Sequence, residues 1–153
     1  MKKLLYTFIA CLTVAAASAQ STIDKQLQGS WMLAEAMVSG MRINVTAQTI
    51  TFSKAKEAEL TQQQRDVINS QKQEVFDNLK GSRVIISGKT IEFYMGNMGK
   101  QGTYTVAPYS DAHVLKVTYE DGSADEMIVF IKDKQLHITK SDDIDRDEMV
   151  FAK

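Results

Sequence analysis

The stretch Ser82-Arg83-Val84-Ile85-Ile86-Ser87-Gly88-Lys89-Thr90-Ile91-Glu92-Phe93-Tyr94-Met95 decides the architecture. Two runs rich in β-branched and aromatic residues flank a Gly-Lys pair, and glycine in first place suits a two-residue hairpin turn. Folding the chain there sets Ile86 opposite Ile91, Val84 opposite Phe93 and Ser82 opposite Met95 on one face. Ile85 then meets Glu92, and Arg83 meets Tyr94, on the other. Because side chains alternate across a strand, one wall of the hairpin is apolar and the other partly wet.

The same test works further along the chain. A turn at Asp133-Lys134 sets Ile131 opposite Leu136 and Val129 opposite Ile138 on the inside, and leaves Phe130 opposite His137 outside. Between the two hairpins, Glu120-Asp121-Gly122 joins a strand from His113 to Tyr119 to one from Asp125 to Ile131. A two-residue Asp-Gly turn would place Glu126 beside Val117. A three-residue turn with Gly122 left-handed instead pairs Lys116 with Glu126 outside and Leu115 with Met127 inside. The second register is preferred, because it keeps Met127, Val129 and Ile131 on the inner face that the next hairpin demands.

Further strands are expected at Trp31 to Val38, opened by Gly29, at Ile43 to Phe52, at Thr103 to Ala107 and at Glu148 to Ala152. The periodicity changes once. From Thr61 to Leu79 the apolar residues Val67, Ile68, Val75, Phe76 and Leu79 share one face of a helix, with Thr61 and Gln64 as a capping box and Gly81 as the stop. The stripe is expected to bury either over the open end of the sheet, as a lid, or on the outer wall near Ile85, Tyr94, Ile128 and Phe130. About nine short antiparallel strands bury poorly as one open sheet, and closure removes the edges. The expected fold is mainly β, an antiparallel up-and-down β-barrel of about 8–9 strands with one α-helix at about 61–79 inserted after the second strand.

The 153 residues suit one domain, and 44% apolar, 24% charged and one proline describe a globular chain. A net charge of −1 with no lysine or arginine block leaves no footprint for nucleic acid or anionic lipid. Lys2 and Lys3 precede an apolar run, Leu4 to Ala17, that ends in Ala17-Ser18-Ala19, so residues 1–19 read as a signal peptide and 20–153 as the mature domain. The run is too short to span a bilayer, and no transmembrane segment is expected in the mature chain. The expected location is periplasmic or secreted. Cys11 lies inside this leader, which leaves the mature chain without disulfide or thiol chemistry. The rival reading of Phe8-Ile9-Ala10-Cys11 as a lipoprotein box, with a lipid anchor on Cys11, fits less well than cleavage after Ala19.

Gly29-Ser30-Trp31 at the head of the first strand, followed by an all-β meander behind a signal peptide, resembles the lipocalin-like (calycin-type) small secreted bacterial proteins. The resemblance covers nearly the whole mature chain in layout, and Gly-x-Trp is its only motif. It implies that Trp31 closes the barrel floor under a basic side chain from near the C-terminus, for which Arg146 is the candidate. The helix at 61–79 departs from the lipocalin pattern, where the main helix comes late in the chain.

The inward positions Phe93, Met95, Tyr104, Tyr119 and Met127 are the candidate ligand-binding residues, with the tyrosine hydroxyls as the few polar groups of an apolar cavity. No metal site is expected. The acids Asp142, Asp143, Asp145, Asp147 and Glu148 lack the glycine and terminal acid of a calcium loop, and His113 and His137 have no partner ligands at zinc spacing. Met95 and Met98, which could offer thioethers to copper(I), read instead as an adaptable apolar hairpin. Nothing sets a nucleophile beside a base, and Asp125 and Glu126 alternate across a strand, so neither an enzyme nor a cofactor is expected. Two functions remain: an exported protein holding a small apolar or amphipathic ligand in the barrel, or a packed, ligand-free barrel acting as an envelope interaction or inhibitor module. The residues name no protein partner.

Overall fold

The computed structural model describes residues 22–140 and 147–153. The proposed leader and Arg146 lie outside them. A short helix, α1 (residues 22–27), leads into β1 (Gly29–Val38), and a hairpin of β2 (Met41–Asn44) and β3 (Thr49–Phe52) follows. Two helices come next, α2 (Lys54–Glu59) and α3 (Gln62–Leu79). The chain then runs through β4 (Arg83–Ser87), β5 (Thr90–Met95), β6 (Met98–Tyr109), β7 (Ala112–Tyr119), β8 (Ala124–Lys132), β9 (Gln135–Lys140) and β10 (Glu148–Ala152).

These strands pair in the order β10-β9-β8-β7-β6-β5-β4-β1-β2-β3, and β10 also pairs with β1. The result is a closed antiparallel barrel of eight strands, β1 and β4 to β10, with the β2–β3 hairpin as an outgrowth. It is a plain meander once the segment between β1 and β4 is set aside. The three expected hairpin registers are all present: Ile86↔Ile91 and Val84↔Phe93, Ile131↔Leu136 and Val129↔Ile138, and Leu115↔Met127 with Lys116↔Glu126. Gly122 is left-handed at φ 81°, as the three-residue turn requires.

Two expectations need correction. The strand read as continuous from Ile43 to Phe52 is a hairpin, because Asn44 folds its side chain onto the Ala47 N–H at 2.7 Å and Gln48 takes a positive φ. A β-branched run broken by an Asn-led turn keeps strand composition on both sides, which hid the break. The helix at 61–79 forms as expected, with both bonds of the Thr61–Gln64 capping box, but it is not the one helix expected: α1 and α2 precede it. α3 is neither lid nor wall brace along its length. Phe76 is buried and Leu79 packs on the core, whereas Val67 is 48% exposed. Its last turn rests on the β5–β6 turn, where Gly96 leaves no room for a Cβ beside the Asn78 carbonyl.

One edge of β1 is shared. Gly29 to Met32 pairs with β4, and Glu35 to Val38 pairs with β2. The register against β10 slips between Leu33 and Glu35, so a bulge sits where β1 changes neighbours. The bulge reverses the alternation: Trp31 and Leu33 face inward before it, Ala36 after it, and Glu35 faces out. Val84, Ile91, Val106, Leu115, Val117, Val129, Leu136, Ile138 and Phe151 fill the barrel body, each at most 2% exposed. Among the described residues no helix is long and apolar enough to cross a membrane.

The β7–β8 turn carries the clearest titration. The Asp121 carboxylate accepts the Ser123 hydroxyl and the Ser123 N–H, with Lys100 3.3 Å away, and these lower its pKa to about 2. A depressed folded pKa stabilises above the unfolded value, and the contribution fades as pH falls through about 2. Carboxyl titration by NMR should therefore show Asp121 among the last groups to protonate, and Ser123→Ala should raise its midpoint. An unchanged midpoint in Ser123→Ala would show that the turn bonds do not hold the carboxylate.

Candidate functional site

The barrel has two unlike ends. At one end lie α1, the β4–β5 turn and the C-terminus; at the other lie the β5–β6 and β7–β8 turns and the start of β10. The first end is sealed. Ile23 and Leu27 of α1 are buried, and Trp31 Nε1 donates to the Leu27 carbonyl at 2.7 Å, joining the helix to β1. The Gln28 side chain accepts from the Gly88 N–H and donates to the Tyr104 hydroxyl, which in turn donates to the Gly88 carbonyl. Asp24 and Lys89 close the rim with an ion pair.

The basic group over the floor tryptophan is Lys153, whose Nζ lies 4.3 Å from the ring centroid. This is the place that the resemblance gave to Arg146, which falls outside the described residues. Nothing in the sequence marked Lys153, because its position over Trp31 depends on β10 pairing with β1, the longest-range contact of the barrel.

Among the described residues, the other end is open. Phe93, Met95, Met127, Ile138 and Met149 wall a cup of about 420 Å³ whose surface is mostly apolar, with Tyr119, Asp125 and Lys140 at its rim. Four of the five candidate ligand-binding residues, Phe93, Met95, Tyr119 and Met127, meet there. The fifth does not. Tyr104 points inward as expected but is only 3% exposed at the floor, its hydroxyl engaged with Gln28 and Gly88. Alternation reports which way a side chain faces; it does not report the height at which a tilted strand places it.

Burial, and then the bond it donates to Asp125 at 2.9 Å, push the Tyr119 hydroxyl up. It therefore stays protonated and holds Asp125 in place. At the floor, burial followed by the charge of Asp24 pushes Tyr104 up in the same direction. Met149, Ile138 and Lys140 were missing from the candidate set. The alternation signal for Ile138 was present in the inner-face register, and Met149 follows from it through the Ile138↔Met149 pairing.

No protein-family model matches the chain, and no curated protein or solved structure matches it either. The closed eight-strand antiparallel barrel is consistent with a calycin-like architecture, and the functional argument rests on the site itself.

A second concavity of about 370 Å³ lies on the outer wall between Glu35, Arg42, Phe130 and His137. Four of its polar side chains already have partners. Glu35 accepts from Asn44 at 2.9 Å and faces Arg42 at 3.5 Å, while His137 stacks on Phe130 and lies 2.7 Å from Glu148. Among the described residues no group of three or more histidine, cysteine, aspartate or glutamate side chains is arranged to hold a metal ion.

Proposed function

We propose that this chain is an exported, non-enzymatic binding protein of lipocalin-like type that holds a small apolar or amphipathic molecule in the barrel mouth. One observation carries the reading: a barrel filled along its body and sealed at its floor opens at the opposite end into an apolar cup of about 420 Å³. Sites for small molecules are concave and mostly apolar, with a few placed polar groups, and the mouth supplies that pattern with Tyr119 and the rim charges. Methionine fills irregular space and adapts, which suits a cup walled by Met95, Met127 and Met149. Export is supported by the leader-like residues 1–19, with cleavage after Ala19 and a periplasmic or secreted destination.

The test is intact mass, native and then denaturing, on protein purified from an envelope that exports it. A chain starting at Gln20 with an excess mass that vanishes on denaturation is the expected result. The same chain with no excess would favour the packed interaction module. A lipid that survives denaturation on Cys11 would overturn the cleavage site and anchor the protein to a membrane.

Phe93→Ala separates the two functions by energetics. Phe93 packs on the core but keeps part of its surface at the cup, so its loss should cost about 1–2 kcal/mol, below the ~3–5 of a fully enclosed phenylalanine. Bound ligand should fall sharply in the same variant. Severe destabilisation with ligand unchanged would refute the reading.

A further inference from the structure

The walls of the mouth are apolar, but its rim is acidic. Among the described residues Asp125 and Asp147 line it with one lysine, Lys140. Each carboxylate is held by a group of the protein itself. The Tyr119 hydroxyl donates to Asp125 at 2.9 Å, and the Ser39 N–H donates to Asp147 at 2.7 Å. Among the described residues neither aspartate forms an ion pair, and the second oxygen of each has no hydrogen-bond partner. Fixed carboxylates that outnumber the cation beside them, at the edge of an apolar hollow, favour one charge type in whatever enters it.

We propose that the mouth selects a cationic amphiphile, with its hydrocarbon against Phe93, Met127 and Met149 and its ammonium beside Asp125 and Asp147. This rests on the reading of the mouth as a ligand site and adds the class of ligand. An ammonium at the rim meets more negative than positive charge, so a primary amine should bind about tenfold tighter than the alcohol of the same chain length, and a carboxylate more weakly than either. Because the rim is solvated, added salt should erode the difference.

The experiment is calorimetric titration of the full mature chain with decylamine, decanol and decanoate, each below its micelle concentration at neutral pH. The expected order is decylamine, then decanol, then decanoate, with one site per chain and decanol displacing decylamine. In Asp125→Asn combined with Asp147→Asn, the ratio of decylamine to decanol affinity should fall towards one. Equal binding of all three overturns the charge selection and leaves the mouth as a binding site. Tighter binding of decanoate also overturns it and assigns the head group to Lys140. Decylamine that decanol cannot displace is held elsewhere, which overturns the assignment to the mouth. Binding of none overturns the ligand reading and this inference together.

Discussion

Trp31→Ala is expected to lower the free energy of unfolding by about 3–5 kcal/mol, the range for removing an enclosed large aromatic side chain. The ring is 2% exposed, its Nε1 donates to the Leu27 carbonyl at 2.7 Å, and Lys153 lies across its face. Truncation opens a cavity directly above α1 and leaves a buried carbonyl without its donor. It also loosens the attachment of Ile23 and Leu27, which close the floor. Trp31→Phe keeps much of the volume and loses the N–H, so it should cost about 1–3 kcal/mol. Lys153→Ala removes a solvent-facing cation–π contact and should cost at most about 1 kcal/mol. Denaturant unfolding of the three variants gives the order directly. A Trp31→Ala protein as stable as the parent would show that the floor does not depend on this side chain.

Gly102→Ala should cost at least about 2 kcal/mol, because the added methyl overpacks a seam that has no slack. A Cβ at Gly102 would lie 2.4 Å from the Thr118 carbonyl oxygen and 2.9 Å from its carbon. Both atoms are backbone of the paired strand and cannot swing aside. Relief requires β6 and β7 to part where Gly102 pairs with Tyr119, so the variant should also disturb the rim of the mouth. Gly122→Ala is the contrasting case. Nothing lies within 4 Å of its Cβ position, and only its left-handed φ of 81° is strained, at a cost of about 1 kcal/mol. If the two substitutions prove equally mild, the tight β6–β7 seam is not a constraint on this barrel.

The contrast between these sites and the hairpins shows what a sequence can carry. The registers at Gly88-Lys89, Asp133-Lys134 and Gly122 were legible because each depends on a turn and on the alternation of about six residues on either side of it. α3 was legible from its capping box and its helical spacing. Its orientation was not. An apolar stripe of this length implies a complete cover, yet Val67 stays exposed while Phe76 and Leu79 of the C-terminal turns pack.

The candidate site shows the same division at the level of single residues. Phe93, Met95, Tyr119 and Met127 were inward-facing by alternation, and they meet at one mouth. Tyr104 obeyed the same rule and ended at the other end of the barrel, because β6 runs from the mouth to the floor, from Met98 to Tyr109. Lys153 carried no local mark at all, and the break between β2 and β3 was hidden within one run of strand composition.

By itself, the sequence determined the strands of the barrel, the long helix α3, the hairpin registers and the inward or outward direction of most core side chains. These depend on interactions between residues near in the chain, whose period and turn chemistry are written into the residues themselves. Tertiary structure alone decided that β10 closes on β1 across a bulge, that α1 seals one end, and that the other end stays open with an acidic rim. Closure and height along the barrel are set by strand tilt, stagger and the packing of the chain's two ends together, and no local period encodes them.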